Sequence, residues 1–282
     1  MENFLVALKA AILGVVQGIT EFLPISSSGH LIIIGELVKL SENRAFMSAF
    51  DAIIHLGSIL AVIIVFWKKI FPFGQDSEHF KKTMNMWLMV LVGVIPIVII
   101  GLSVEKKLSG HLRDPLIVAA ALIFYGVIMI AIEKFRKSEV KISDVSMLPI
   151  KFALIIGLAQ CLALVPGTSR SGITIISGLL LGLSRVAAME FSFFMAIPAI
   201  TGAAMLKIVK ILKGGMELGS TEILALAVGF VITFAVSLGV IKVFMNYISK
   251  KSFAPFGYYR IGLGLVIIAL SVFGFQFSDA MD

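Results

Sequence analysis

Residues 17–30 read Q-G-I-T-E-F-L-P-I-S-S-S-G-H: Gln17 and Glu21, then Pro24, then Ser26, Ser27, Ser28, Gly29 and His30. The stretch lies inside an otherwise apolar N-terminal run. A charge at the centre of a bilayer costs ~2.5–3.5 kcal/mol on insertion scales, so a helix that only had to span would not carry this set. The surrounding chain is built for a membrane. It has 282 residues, 59% of them hydrophobic and 15% charged, against about a quarter charged in an ordinary soluble domain. The net charge of +7 fits basic cytoplasmic loops, not nucleic-acid binding. With Cys161 as the single cysteine, neither a disulfide within the chain nor a cysteine-based metal site is available. The N-terminus has no basic region followed by a small-residue cleavage site and reads as mature sequence.

Working outward, six apolar runs are long enough to cross a core of about 30 Å: residues 46–67, 85–104, 114–133, 186–212, 221–245 and 258–277. Two regions are broken instead. Residues 3–40 are interrupted at Pro24 and the serine run, and residues 148–183 at Pro166-Gly167 and Ser169-Arg170-Ser171-Gly172. Each predicts two short half-helices joined by a polar turn, which is tolerated at membrane depth only where protein or water covers it. The two regions resemble each other. An offset of 143 pairs Gln17 with Gln160, Ser26 with Ser169, Ser28 with Ser171 and Gly29 with Gly172. This predicts an internal duplication within one domain, 1–282, with repeat 1 at about 1–140 and repeat 2 at about 145–282. Three spans between the broken regions invert the second copy. The expected fold is therefore an all-α integral membrane protein, an inverted-topology repeat of six full transmembrane helices and two re-entrant hairpins whose tips meet near the midplane.

Loop charge gives the orientation. Lys68, Lys69, Lys81, Lys82, Lys134, Arg136, Lys137, Lys141, Lys250 and Lys251 fall on one face; Arg44, Lys106, Lys107, Arg113 and Lys213 fall on the other. The excess places the first face in the cytoplasm and opens the first hairpin outward.

The chemistry concentrates at the two turns. Gln17 and Glu21 share a helix face one turn apart. Glu21 could hold a divalent cation, position a water or orient a histidine. A serine before a helix start is an N-cap signal, but capping explains one of three serines. The helix beginning there offers free N–H groups and a positive dipole end, a site for phosphate. His30, three residues after Ser27, is placed as the base that activates it. Arg170 is the one basic residue in P-G-T-S-R-S-G (Pro166 to Gly172). Its forked donors suit phosphate; without substrate they suit an ion pair with Glu21. Thr168, Ser169 and Ser171 add hydroxyls, and Gly167 and Gly172 allow close backbone approach. Asp51 and His55, four residues apart, either line the cavity or form a satisfied interior pair. Glu190 is expected to pair with Arg185, and Glu133 to mark a membrane interface. The Phe and Met excess reads as packing and lipid-facing surface.

These motifs, with H-L-G-S-I-L-A-V at 55–62 and F-G-Y-Y-R-I at 256–261, resemble the undecaprenyl-diphosphate phosphatases of the bacitracin-resistance type over nearly the whole chain. The resemblance implies a multi-pass enzyme of the bacterial plasma (inner) membrane. It would hydrolyse undecaprenyl diphosphate to the monophosphate, recycling the carrier for peptidoglycan synthesis and so for cell-wall biogenesis and cell shape, and confer low-level bacitracin resistance. It also implies a divalent cation, Mg²⁺ or Ca²⁺. The family's [E/Q]-x-x-x-E motif falls on Gln17 and Glu21, its serine–histidine pair on Ser27 and His30, and its essential arginine on Arg170. Ser26, Ser28, Gly29, Gly167, Thr168, Ser169, Ser171 and Gly172 are the expected substrate-binding surroundings. Because position 17 is Gln, metal binding would rest on Glu21 and the substrate phosphates. Membrane lipids are the expected surroundings, nucleic acid is not an expected partner, and a homodimer stays open. In the expected mechanism Ser27 attacks phosphorus while His30 takes its proton; attack by His30 or by water is the alternative. The rival reading is a polyprenyl-phosphate transporter or flippase, since broken helices in inverted repeats are common there. A third reading, the acid-phosphatase-like lipid phosphatases, needs S-R-x5-H-x3-D, and no histidine follows Arg170 at that spacing.

Overall fold

The structure is a computed structural model that describes residues 2–73, 76–108, 114–135, 140–216 and 218–275. The chain forms α1 (Glu2–Thr20), α2 (Ser27–Val38), α3 (Arg44–Val65), the short α4 (Trp67–Ile70), α5 (Ser77–Leu108) and α6 (Pro115–Phe135). After a 3₁₀ turn at Val145–Met147 come α7 (Ile150–Gln160), a second 3₁₀ turn at Cys161–Leu164, α8 (Arg170–Leu180), α9 (Arg185–Lys213), α10 (Ser220–Ile248) and α11 (Ala254–Val272). Among the described residues β pairing is limited to a bridge between Ile142 and Leu183.

Among the described residues seven helices are long and apolar enough to cross a membrane: the six expected, as α3, α5, α6, α9, α10 and α11, and α1. The expectation of a short half-helix at the N-terminus is thus corrected. Nothing from Asn3 to Thr20 interrupts the helix, because the proline that breaks the region lies four residues beyond its end. The other three pieces of the broken regions are short, with α2 twelve residues long and α7 and α8 eleven each.

Small residues let the long helices approach. A Cβ at Gly14 of α1 would lie 2.9 Å from the Gly229 carbonyl of α10, and one at Gly126 of α6 would lie 2.8 Å from the Gly257 carbonyl of α11. Hydroxyls fill these seams: Thr233 donates to the Gly14 carbonyl at 3.1 Å and Ser237 to that of Gly18 at 3.4 Å. Such interfaces replace hydrophobic exclusion, which cannot drive association among lipid tails. The buried core is aromatic. Phe22, Phe66, Phe193, Phe194, Phe244 and Phe253 stack edge to face or at a tilt, with Met89 and Met195 beside them. Phe22 follows Glu21 directly, so this cluster is the floor on which the first turn rests.

The ends that loop charge grouped together do meet. Asn85 donates to the Ser146 carbonyl, and Glu133 accepts from the Phe253 amide at 3.0 Å. The expected Arg185–Glu190 pair is not formed. Arg185 instead donates to Glu133 at 3.0 and 2.6 Å, and Lys69 donates to Glu190 at 2.6 Å. A helix start places residues one and six out of reach of each other, and each finds a partner on a neighbouring helix. Arg113, Arg136 and Lys137, and the side chains of Lys106 and Lys107, lie outside the described residues.

Candidate active site

The two turns are built alike. α2 and α8 each begin after a serine held at positive φ, Ser26 at 72° and Ser169 at 70°. Each serine hydroxyl accepts the amide three residues on: Gly29 N–H at 3.3 Å and Gly172 N–H at 3.1 Å. Each also lies 3.2 Å from the hydroxyl two residues on, that of Ser28 or Ser171. A left-handed backbone at a residue with a Cβ is costly and collects at functional sites. Its effect here is to turn the chain into the next helix within one residue, presenting Ser27 and Arg170 at the first positions of α2 and α8. Gly167 has no alternative residue. Its φ is +90°, and a Cβ would sit 2.4 Å from the Val118 carbonyl.

Glu21 joins the turns. Its Oε2 accepts from the Ser27 hydroxyl at 2.9 Å and from Gln17 Nε2 at 3.0 Å; its Oε1 accepts from Arg170 Nη2 at 3.1 Å. The carboxylate is nearly enclosed, at 5% side-chain exposure. Arg170 Nη1 also donates to the Ser192 carbonyl at 2.8 Å, while its Nε is buried without a partner, as is the Thr168 hydroxyl. Ser171 donates to the carbonyls of Glu21 and Leu23 at 3.4 and 3.2 Å, which stitches the second turn to the first. Ser28 is exposed and Ser27 half-buried, so the centre is open beside the serines.

The structure therefore brings Gln17, Glu21, Ser27, Arg170 and Ser171 together. His30 is placed differently from the expectation. Its Nδ1 lies 2.8 Å from the Ser26 carbonyl and its Nε2 2.8 Å from the Tyr259 hydroxyl, with the two rings stacked at 5.6 Å. The carbonyl can only accept, so Nδ1 carries a proton. The Ser27 hydroxyl is bonded to Glu21 rather than to His30, because the first turn of α2 directs the imidazole back onto its own capping residue. Ser26 and Ser169 engage their hydroxyls as caps, and Gly167 and Thr168 present their carbonyls to a residue the sequence reading passed over.

That residue is Arg260. It is fully buried, and its Nε and both terminal nitrogens donate to carbonyls: Leu122 at 3.4 Å, Pro24 at 3.2 Å, Gly167 at 2.8 Å and Thr168 at 2.9 Å. One guanidinium thus ties the proline turn of the first broken region to the turn of the second. With Tyr259 on His30, two adjacent residues of α11 hold both halves of the centre. The available signal was a lone arginine near the start of an apolar run, a pointer to function by itself.

Among the described residues no group of three or more His, Cys, Asp or Glu is arranged to hold a metal ion. What converges is one carboxylate, two guanidinium groups, hydroxyls and two helix N-termini. The fold defines a multi-pass membrane protein whose two broken regions bring these groups together. The chain belongs to the family of the bacitracin resistance protein BacA, whose family model matches residues 10–266. It is 50% identical over 273 residues to undecaprenyl-diphosphatase 1 of Clostridioides difficile (strain 630), covering 95% of this chain and 98% of that one. It is 44% identical over 265 residues to an undecaprenyl-diphosphatase of Limosilactobacillus fermentum, covering 93% and 96%, and 44% identical over 274 residues to one of Enterococcus faecalis, covering 95% and 98%.

Proposed function

We propose that this protein is a membrane phosphatase that hydrolyses undecaprenyl diphosphate to undecaprenyl phosphate and inorganic phosphate, returning the lipid carrier to cell-wall synthesis. The observation that carries the reading is the meeting of the Ser27 hydroxyl and the Arg170 guanidinium on one carboxylate, Glu21, from the starts of two helices. The relatives' names supply the substrate class. We place the protein in the bacterial inner membrane, with α1–α2 and α7–α8 as hairpins of an inverted repeat entering from opposite faces. The identical capping geometry at Ser26 and Ser169 supports the duplication, and loop charge supports opening of the centre to the outer face.

In the proposed reaction the diphosphate displaces part of the Arg170–Glu21 contact, and Arg170 and the helix N-termini take the charge of the phosphates. Ser27 Oγ forms a bond to the terminal phosphorus as the bond from phosphorus to the bridging oxygen breaks. Glu21, already accepting from that hydroxyl, takes its proton and passes it to the departing monophosphate. Restored as carboxylate, it then takes a proton from the water that attacks phosphoserine and delivers it to Ser27 Oγ as the bond from phosphorus to Oγ breaks, which frees phosphate and regenerates Ser27 and the carboxylate. His30 positions the start of α2 through Ser26 and Tyr259. A divalent cation, Mg²⁺ or Ca²⁺, fits a donor set of one carboxylate plus substrate phosphate oxygens; Glu21 would hold it, and it would supply further neutralisation of the diphosphate.

Phosphate release from a polyprenyl diphosphate by purified protein in detergent tests the reading. Wild type releases phosphate and Ser27→Ala does not. A well-folded wild-type protein that releases none favours lipid transport instead, and turnover by Ser27→Ala near the wild-type rate excludes the serine route.

A further inference from the structure

A chain of charged groups leads away from the centre on the side opposite Arg170. Glu21 Oε2 lies 3.5 Å from His55 Nε2. His55 Nδ1 lies 2.8 Å from the Asp51 carbonyl and 3.3 Å from Asp51 Oδ1. Asp51 Oδ2 in turn accepts from Lys207 Nζ of α9 at 2.8 Å. Side-chain exposure is lowest at Glu21, 5%, intermediate at His55 and Asp51, 23% and 17%, and highest at Lys207, 40%. The mechanism above uses none of the last three.

We propose that His55 is a positioning residue for Glu21, fixed by Asp51 and Lys207. Both ring nitrogens face oxygens of acceptors only, so the ring with protons on both nitrogens donates at both ends. At 3.5 Å the contact with Glu21 is an ion pair rather than a short hydrogen bond, since Gln17 and Ser27 already fill that oxygen. Its effect is to hold the carboxylate against the pull of Arg170 when substrate loosens that bridge, keeping Oε2 within reach of Ser27. The groups facing His55 are Glu21 from the end of α1 and Asp51 from its own helix, with Arg170 and Lys207 one step further on. Helix α10, also packed on α3, meets it with Gly229, Thr233 and Ser237, all uncharged. Lys207 leaves Asp51 neutralised, so the imidazole is not drawn wholly to that side.

The inference rests on the proposed reaction, and two measurements separate them. On polyprenyl diphosphate, His55→Ala lowers kcat at least tenfold with KM changed less than threefold, because Arg170 and the helix starts still bind phosphate. His55→Gln keeps a donor to Glu21 and recovers most of kcat near neutrality. Wild-type kcat in His55→Ala, or a His55→Gln variant as slow as His55→Ala, overturns the inference. In protein labelled with ¹⁵N-histidine, the His55 signals, assigned by their loss in His55→Gln, shift on Glu21→Gln; signals that stay in place overturn the pairing without reference to turnover. Wild type that releases no phosphate overturns the reaction alone, and the nitrogen shifts then decide the pairing.

Discussion

Replacing Arg260 by Met keeps a long flexible stem in the seam between α6 and α11 and removes the guanidinium. Three carbonyls that it satisfies, those of Pro24, Gly167 and Thr168, belong to turns and accept from no other donor among the described residues. Leaving a buried carbonyl unsatisfied costs about 1–3 kcal/mol, so the gross loss is about 3–9 kcal/mol. The variant no longer buries a charge lacking a carboxylate partner, which offsets several kcal/mol. We expect a net destabilisation of about 2–4 kcal/mol, or a fall in Tm of roughly 5–15 °C on the scaling for chains of this size. The turns would also drift. Misplacement by about 1 Å can cost ~10²-fold in rate, so kcat falls by about two orders of magnitude even where the protein stays folded. Arg260→Lys, which keeps charge but reaches fewer carbonyls, falls between the two. The assay is thermal unfolding in detergent alongside phosphate release. An Arg260→Met variant with wild-type Tm and wild-type kcat would refute the idea that this residue sets the spacing of the turns.

Three further outcomes follow from the same geometry. Glu21→Gln keeps the size of the side chain and loses both the base and the ion pair with Arg170; kcat should fall at least ~10²-fold, within the usual range for a general base, and unchanged turnover in a phosphate-release assay would argue against the carboxylate as base. Gly167→Ala forces a Cβ to 2.4 Å from the Val118 carbonyl at a φ of +90°, so the second turn must move; the expected result is lower Tm with reduced activity, whereas Gly202→Ala, where a Cβ meets nothing within 4 Å, should leave both nearly unchanged. Chelation should suppress phosphate release and added Mg²⁺ or Ca²⁺ should restore it, while the melting temperature of ligand-free protein changes little, because Glu21 already has protein donors on both oxygens.

What the sequence disclosed follows from how the signals are written. The turns were legible because they are local: a proline, consecutive serines and a glycine within a few residues, repeated at a fixed offset. The pairing of Glu21 with Arg170 was legible too, since each was the charged residue of its own turn. The partner of Ser27 was not. Spacing put His30 near the serine, and only the turn at Ser26, with its positive φ, brings the hydroxyl to the Glu21 carboxylate instead. The length of α1 was missed because a broken region predicts two short half-helices, whereas the residues before the break run as one helix of 19 residues. Arg260 stayed hidden because its partners are backbone carbonyls, which no side-chain pattern reports. Its contacts span 93 and 236 residues of chain to Gly167 and Pro24.

The charges around the turns explain why such a centre should select a diphosphate over a neutral lipid. Arg170 and Arg260 are set against one carboxylate, Glu21, and both helix starts add the positive end of a dipole. Such an excess is unfavourable in a medium where water is scarce, because nothing solvates it as well as water does. An anion arriving at Ser27 and Arg170 offsets it, and a headgroup with two phosphates offsets more than the monophosphate left after cleavage. On the proposed reaction the same excess therefore favours entry of substrate and weakens the hold on product. Neutralising Glu21 would increase the excess, so with divalent cations removed the Glu21→Gln variant should bind inorganic pyrophosphate more tightly than wild type, while turning over more slowly in the phosphate-release assay. Weaker binding by that variant under the same cation-free conditions would mean that the carboxylate helps to hold the headgroup and that the charge excess does not govern binding.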